Sequence, residues 1–155
     1  IQKVVALSFF MPLILSSGGN SGSQATTLII RAMAVRDVLI RDWLRVFRRE
    51  IASGFLLGLI LAAIGVLRVI LFQEFHVAGA DYGAHYVLLA MAIGISLVGV
   101  VLWGTLAGAM LPIFLRLIRL DPAVCSAPFV ATLVDVTGLM IYFNVALWLL
   151  RGTML

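Results

Sequence analysis

Four stretches of this chain run for twenty or more residues with at most one charged residue each: Val4 to Val35, Ile51 to Phe72, Tyr86 to Leu115 and Ala123 to Leu150. A helix needs ~20 mostly apolar residues to cross ~30 Å of hydrocarbon. In lipid it satisfies its own backbone hydrogen bonds, which an irregular segment cannot do. The rest of the chain offers no alternative, because 12% of its residues are charged against ~25% in ordinary soluble domains. The sequence therefore reads as an all-α integral membrane protein, a helical bundle with about four transmembrane helices. The first and third stretches exceed a simple span and imply tilt, kinks or extension beyond the bilayer.

Charge sets the orientation. Arg31, Arg36, Arg41, Arg45, Arg48, Arg49, Arg116 and Arg119 fall at the connections after the first and third stretches, against Lys3, Arg68 and Arg151 at the opposite side. The bias puts the Arg-rich connections in the cytoplasm of a multi-pass protein of the cell (inner or plasma) membrane. It reports topology, not a nucleic-acid partner. In "RDVLIRDWLRVFRRE", Val38, Leu39, Trp43, Val46 and Phe47 approximate helical spacing against arginines, which predicts an amphipathic helix lying on the membrane surface. The opposite connection, "QEFHVAGADYGAH", holds Glu74 and Asp81 with no Lys or Arg. His76 and His85 there form no ligand pair and read as interfacial residues. Asp121 and Pro122 are placed to cap and start the last helix.

The chain starts at Ile1, inside what already reads as an apolar element, and is read as a fragment or processed chain. Gly54 with Gly58, then Gly65, and Gly104 with Gly108 fall at intervals that bring membrane helices close together. A single cysteine, Cys125, allows no internal disulfide and suits small-residue packing. No Ser-His-Asp arrangement, phosphate loop or dinucleotide fingerprint is present, since "SGGNSG" follows an apolar helix rather than a strand. An enzyme is not indicated.

The chemistry gathers in two places. Asp135 sits about halfway along the fourth span, where an ionised group costs at least ~2.5 kcal/mol and marks a functional site by default. Pro128, Thr132, Asp135, Leu139 and Tyr142 share its helical face, flanked by Ala131 and Gly138. In the first span, "SSGGNSGSQATT" places Ser16, Asn20, Ser23, Gln24 and Thr27 on one polar stripe, while Gly18, Gly19 and Gly22 provide a hinge or allow close packing. Hydroxyls, amides and one carboxylate suit a hard cation with its waters, and Mg2+ best, because it keeps water and takes one or two carboxylates. The same residues leave open a proton relay in an exchanger and a carboxyl that only packs the bundle.

These stretches resemble the membrane domain of the MgtE family of magnesium channels and transporters. "PLILSSGGNSGSQATTLIIRAMAVRD", "DWLRVFRRE" and "DPAVCSAPFVATLVDVTGLMIYF" follow the family's order and spacing across the whole chain. The resemblance implies five membrane helices per subunit, of which this chain looks like the last four, without the first helix and the cytoplasmic regulatory domains. It implies a homodimer around a central pore, with residues 1–155 forming the ion-conducting domain. It assigns the bound and transported Mg2+ to Asp135 and the Ala131 backbone carbonyl, with Asn20, Gln24, Thr27, Thr132 and Gly138 lining the pore. Ser17, Ser23 and Ala127 depart from the family pattern, Ser23 and Ala127 where an Asn is frequent. Two further readings stand beside this one: a proton-coupled exchanger of Mg, Co or Mn with the same fold, and a non-conducting membrane scaffold.

Overall fold

The computed structural model describes residues 2–75, 82 and 85–151, with side chains from residue 7 onward. The Lys3 side chain, His76 and Asp81 lie outside the described residues. Four long helices carry the fold: α1 (Gln2–Ala34), α2 (Trp43–Glu74), α3 (Tyr86–Leu117) and α4 (Ala127–Leu150). Three of them, α2, α3 and α4, are long and apolar enough to cross a membrane. The twelve-residue polar stretch sets α1 apart from those three.

The helix α3 is the axis of the bundle. It packs on α1, α2 and α4, and α1 also packs on α4. Leu89, Ile93, Leu97 and Val100 of α3 are fully buried against Phe10 and Ile14 of α1 and Tyr142 of α4. By contrast α2 buries only a narrow strip, Val46, Gly54, Gly58, Ala62, Gly65 and Val69. Its other faces expose Phe55, Leu56, Ile60, Ile64 and Leu67. An apolar surface of that extent needs lipid rather than water around it.

Glycines set the helix spacing. On α2, a β-carbon at Gly58 would come within 2.9 Å of the Val98 Cα, and one at Gly65 within 2.7 Å of Leu97. Between α1 and α3 the approach is backbone to backbone: a β-carbon at Gly104 would lie 2.5 Å from the Gly18 carbonyl oxygen, and Gly108 stands directly against Gly22. The pairing of 18 with 104 and 22 with 108 makes α1 and α3 parallel. Gly54 near Leu102 and Gly58 near Val98 make α2 antiparallel to α3.

The arginine-rich connections meet at one end of this bundle, where Arg116 Nη1 donates to the Met33 carbonyl at the end of α1 (3.3 Å). Both α1 and α3 terminate through an arginine in the left-handed region, Arg36 (φ 62) and Arg119 (φ 64). The chain then folds its N–H groups back onto the helix: Asp37 N onto Ala32 O (2.9 Å) and Leu120 N onto Leu115 O (2.9 Å). Glycine is the usual residue at such a turn.

Several expectations change. The glycines of "SSGGNSGSQATT" introduce no break, because α1 runs continuously from Gln2 to Ala34. Its hydroxyls bond back into the helix, Ser17 to Leu13 O (2.6 Å) and Ser21 to Ser17 O (2.7 Å), so the polar groups do not compete for another backbone shape. The amphipathic segment after α1 is no separate helix. It is divided between a turn, a short 3-10 segment at Ile40–Asp42, and the first turns of α2, which passes Ile51 without interruption. Asp121 caps the 3-10 turn Pro122–Val124 by accepting from Ala123 N (2.9 Å), while Ser126 caps α4 itself. Cys125 is a free, buried thiol packed with Val130 and Val134.

Candidate functional site

The antiparallel seam between α1 and α4 is tied near both ends. Near the arginine-rich end, Ser23 Oγ donates to the Ala127 carbonyl in the first turn of α4 (2.9 Å). Toward the other end, the buried Tyr142 hydroxyl donates to the Leu7 carbonyl (2.9 Å). Asp135 lies between these ties and faces Gly19. A β-carbon at Gly19 would come within 2.7 Å of Asp135 Oδ1 and 3.6 Å of the Ala131 carbonyl oxygen. The absent side chain at position 19 is therefore what leaves room for the carboxylate, and the Ala131 carbonyl opens beside it, one helical turn earlier on α4.

Asp135 is half-buried, and its Oδ1 is fully enclosed with no hydrogen-bond partner. An enclosed carboxylate oxygen without a donor is costly and calls for a proton, a water or a cation. No basic side chain makes an ion pair with it among the described residues, where the single ion pair is Arg45 with Asp42 (3.5 Å). Nor do three His, Cys, Asp or Glu side chains come together anywhere in the described residues.

The predicted lining residues divide. Asn20, Gln24 and Thr27 are exposed along one face of α1, with Asn20 Nδ2 donating to Ser16 Oγ (3.2 Å) and Thr27 Oγ1 to Ser23 O (2.9 Å). Thr132 is also exposed and donates to Pro128 O (3.0 Å). Together they make an open polar face with Asp135 at its inner edge. Gly138 lies elsewhere: it is buried, and a β-carbon there would meet Val100 Cγ1 of α3 at 2.9 Å. Its position is one of packing inside the subunit. Of the three glycines in α1, Gly18 and Gly22 face α3 and Gly19 alone faces the acid.

One residue escaped sequence reasoning. Pro112 interrupts the α3 ladder, since it has no N–H for the Gly108 carbonyl four residues earlier. Thr26 Oγ1 of α1, fully buried, stands 2.9 Å from that carbonyl and 2.9 Å from its own Gly22 O. Its hydroxyl can thus supply the donor that Pro112 removes. The signal was present as a proline four residues after a packing glycine.

Comparison with known proteins matches residues 11–145 to the MgtE family model, described as a divalent cation transporter. The chain is 47% identical to the magnesium transporter MgtE of Thermus thermophilus over 152 residues, covering 98% of this chain and 31% of that protein. It is 30% identical to the magnesium transporter MgtE of Bacillus subtilis over 146 residues, covering 94% of this chain and 30% of that protein. The similarity to the Enterococcus faecalis protein of the same name is 28% over 151 residues. The chain thus spans about a third of the length of these curated relatives.

Proposed function

Because this chain belongs to the MgtE family of divalent cation transporters, which are transport proteins and not enzymes, we propose that it forms the membrane part of a magnesium-conducting pore built from two copies. The carrying observation is the enclosed, partnerless Asp135 Oδ1 beside the Ala131 carbonyl, at the edge of an exposed polar face.

That face supports the reading of a second copy. Asn20, Gln24, Thr27 and Thr132 are poor surface for lipid, and a two-fold axis along the α1–α4 seam lays each face against its equivalent. Two Asp135 carboxylates then stand across the axis and balance the charge of one Mg2+. The ion keeps most of its water, with the carboxylates and Ala131 carbonyls receiving the hydrated ion and the amides and hydroxyls of α1 lining its path. Limited direct ligation lets the ion leave as well as enter. In this arrangement α1 crosses the membrane as the fourth span, its polar side turned to the pore, and the arginine-rich end faces the cytoplasm.

Flux of Mg2+ into proteoliposomes tests this. Asp135→Asn keeps the shape and removes the charge, and is expected to lower flux about tenfold or more, the factor given by ~1.4 kcal/mol of lost ion binding. Asp135→Glu keeps the charge and shifts its position, and is expected to fall between. Unchanged uptake and selectivity in Asp135→Asn would overturn the proposal. Flux that persists without a pH gradient separates conduction from a proton-coupled exchanger of the same fold.

A further inference from the structure

Away from Asp135, α1 and α2 both lie on α3 and make only marginal contact with each other. They leave an open-sided cavity of about 470 Å³ toward the arginine-rich end, within the ~300–1,000 Å³ range of ligand sites. Leu28, Ile29 and Ala32 of α1 face Val46 and Leu57 of α2 across it. Its hydroxyls are already used inside their own helices: Ser21 to Ser17 O (2.7 Å), Ser53 to Arg49 O (3.0 Å) and Thr105 to Leu102 O (3.0 Å). The charged groups left on its wall are Arg49 and Glu50, adjacent in sequence. Neither side chain forms an ion pair among the described residues.

We propose that this cavity seats one phospholipid from the leaflet at the arginine-rich end, with an amine-bearing zwitterionic headgroup. The phosphate lies at the Arg49 guanidinium, the primary ammonium at the Glu50 carboxylate, and an acyl chain between α1 and α2. Charge complementarity selects this occupant. An anionic headgroup would satisfy Arg49 but bring negative charge to Glu50. A divalent cation would find one carboxylate next to a guanidinium. A purely apolar segment would leave both charges unpaired at the hydrocarbon boundary.

The test is lipid retention by the full-length protein in mild detergent, read by native mass spectrometry after adding equal amounts of phosphatidylethanolamine, phosphatidylcholine and phosphatidylglycerol. The wild type is expected to keep one phosphatidylethanolamine per subunit, favoured about fivefold or more over phosphatidylglycerol. Glu50→Gln is expected to abolish that preference, and Arg49→Gln to weaken retention of all three lipids. A photocrosslinking residue at position 57 is expected to label lipid. Equal retention of the three lipids by the wild type, an undiminished preference in Glu50→Gln, or crosslinking at position 57 to another segment of the protein or to a second copy would each overturn the proposal.

Discussion

Along α1, Gly18 and Gly22 turn toward α3 while Gly19, one residue away, turns toward α4, and the two neighbours use the missing side chains differently. Against α3 the tightest approach is backbone on backbone: the Gly18 and Gly22 carbonyls press into the spaces that Gly104 and Gly108 leave, while the Val100 side chain fills the space at Gly18 itself. Against α4 the space at Gly19 is filled by the flexible end of a carboxylate, Asp135 Oδ1. The first contact cannot relax without separating two helices, whereas the second can relax by turning a side chain. The α1–α3 seam is therefore the scaffold, and in the proposed function the α1–α4 seam is the working surface. Substitutions on the two sides should fail in different measurements.

Gly108→Val carries the largest expected effect. Its side chain has only the Gly22 backbone to meet, and forcing two packed helices apart is expected to cost ~3 kcal/mol or more, read as loss of monodisperse protein and early thermal unfolding in detergent. Gly99 offers the control, because a β-carbon there meets only the Ile141 side chain at 3.3 Å. If Gly108→Val were as stable as Gly99→Val, the scaffold assignment would fail. Thr26→Val keeps the shape and removes the hydroxyl near the Gly108 carbonyl, with an expected loss of ~1–3 kcal/mol for an unsatisfied buried acceptor. Mg2+ flux per folded molecule should stay the same.

On the working surface the order of sensitivity reverses. Gly19→Ala puts a methyl where Asp135 Oδ1 now lies, so it is expected to lower Mg2+ flux about tenfold while shifting stability by less than ~1 kcal/mol. A variant that loses stability but conducts normally would erase the distinction between the seams. Ser23→Ala has the smallest expected effect, ~0.5–1.5 kcal/mol of stability for one neutral hydrogen bond. A double-mutant cycle of Ser23→Ala with Gly19→Ala measures whether the tie to Ala127 also holds the acid in register.

Much of the fold was legible because charge interrupts apolar runs at the membrane boundary. The expected stretches Tyr86 to Leu115 and Val4 to Val35 match α3 and α1 to within two residues at each end. The stretch from Ile51 to Phe72 failed at its start, since the arginines of Trp43–Glu50 suggested an interfacial helix where the chain simply continues α2. Helical periodicity cannot tell an amphipathic helix lying flat from the polar end of one that stands upright. Asp135 stood out because a lone intramembrane acid is expensive, and Asn20, Gln24 and Thr27 because their spacing puts them on one face, which the structure leaves exposed. Gly138 was misplaced for the opposite reason: nearness to the acid along α4 does not say which neighbour a residue faces, and Val100 belongs to another helix. The pairing of Gly19 with Asp135, rather than Gly18 or Gly22, depends on the rotation of α1 about its own axis. Neighbouring helices fix that rotation, and no local pattern reports it.

The unbroken course of α1 makes it a rod of 33 residues, ~50 Å long at 1.5 Å per residue. Gly18 is its middle residue, and the contacts with Gly104 and Gly108 clamp it there and one turn beyond. Further ties hold it toward either end, the Tyr142 hydroxyl on the Leu7 carbonyl and Arg116 on the Met33 carbonyl. A rod pinned along its length acts as a ruler: it fixes the depth of every group that stands on it. Gly19, one residue from the central clamp, thereby sets the level along the bundle at which the Asp135 carboxylate is admitted.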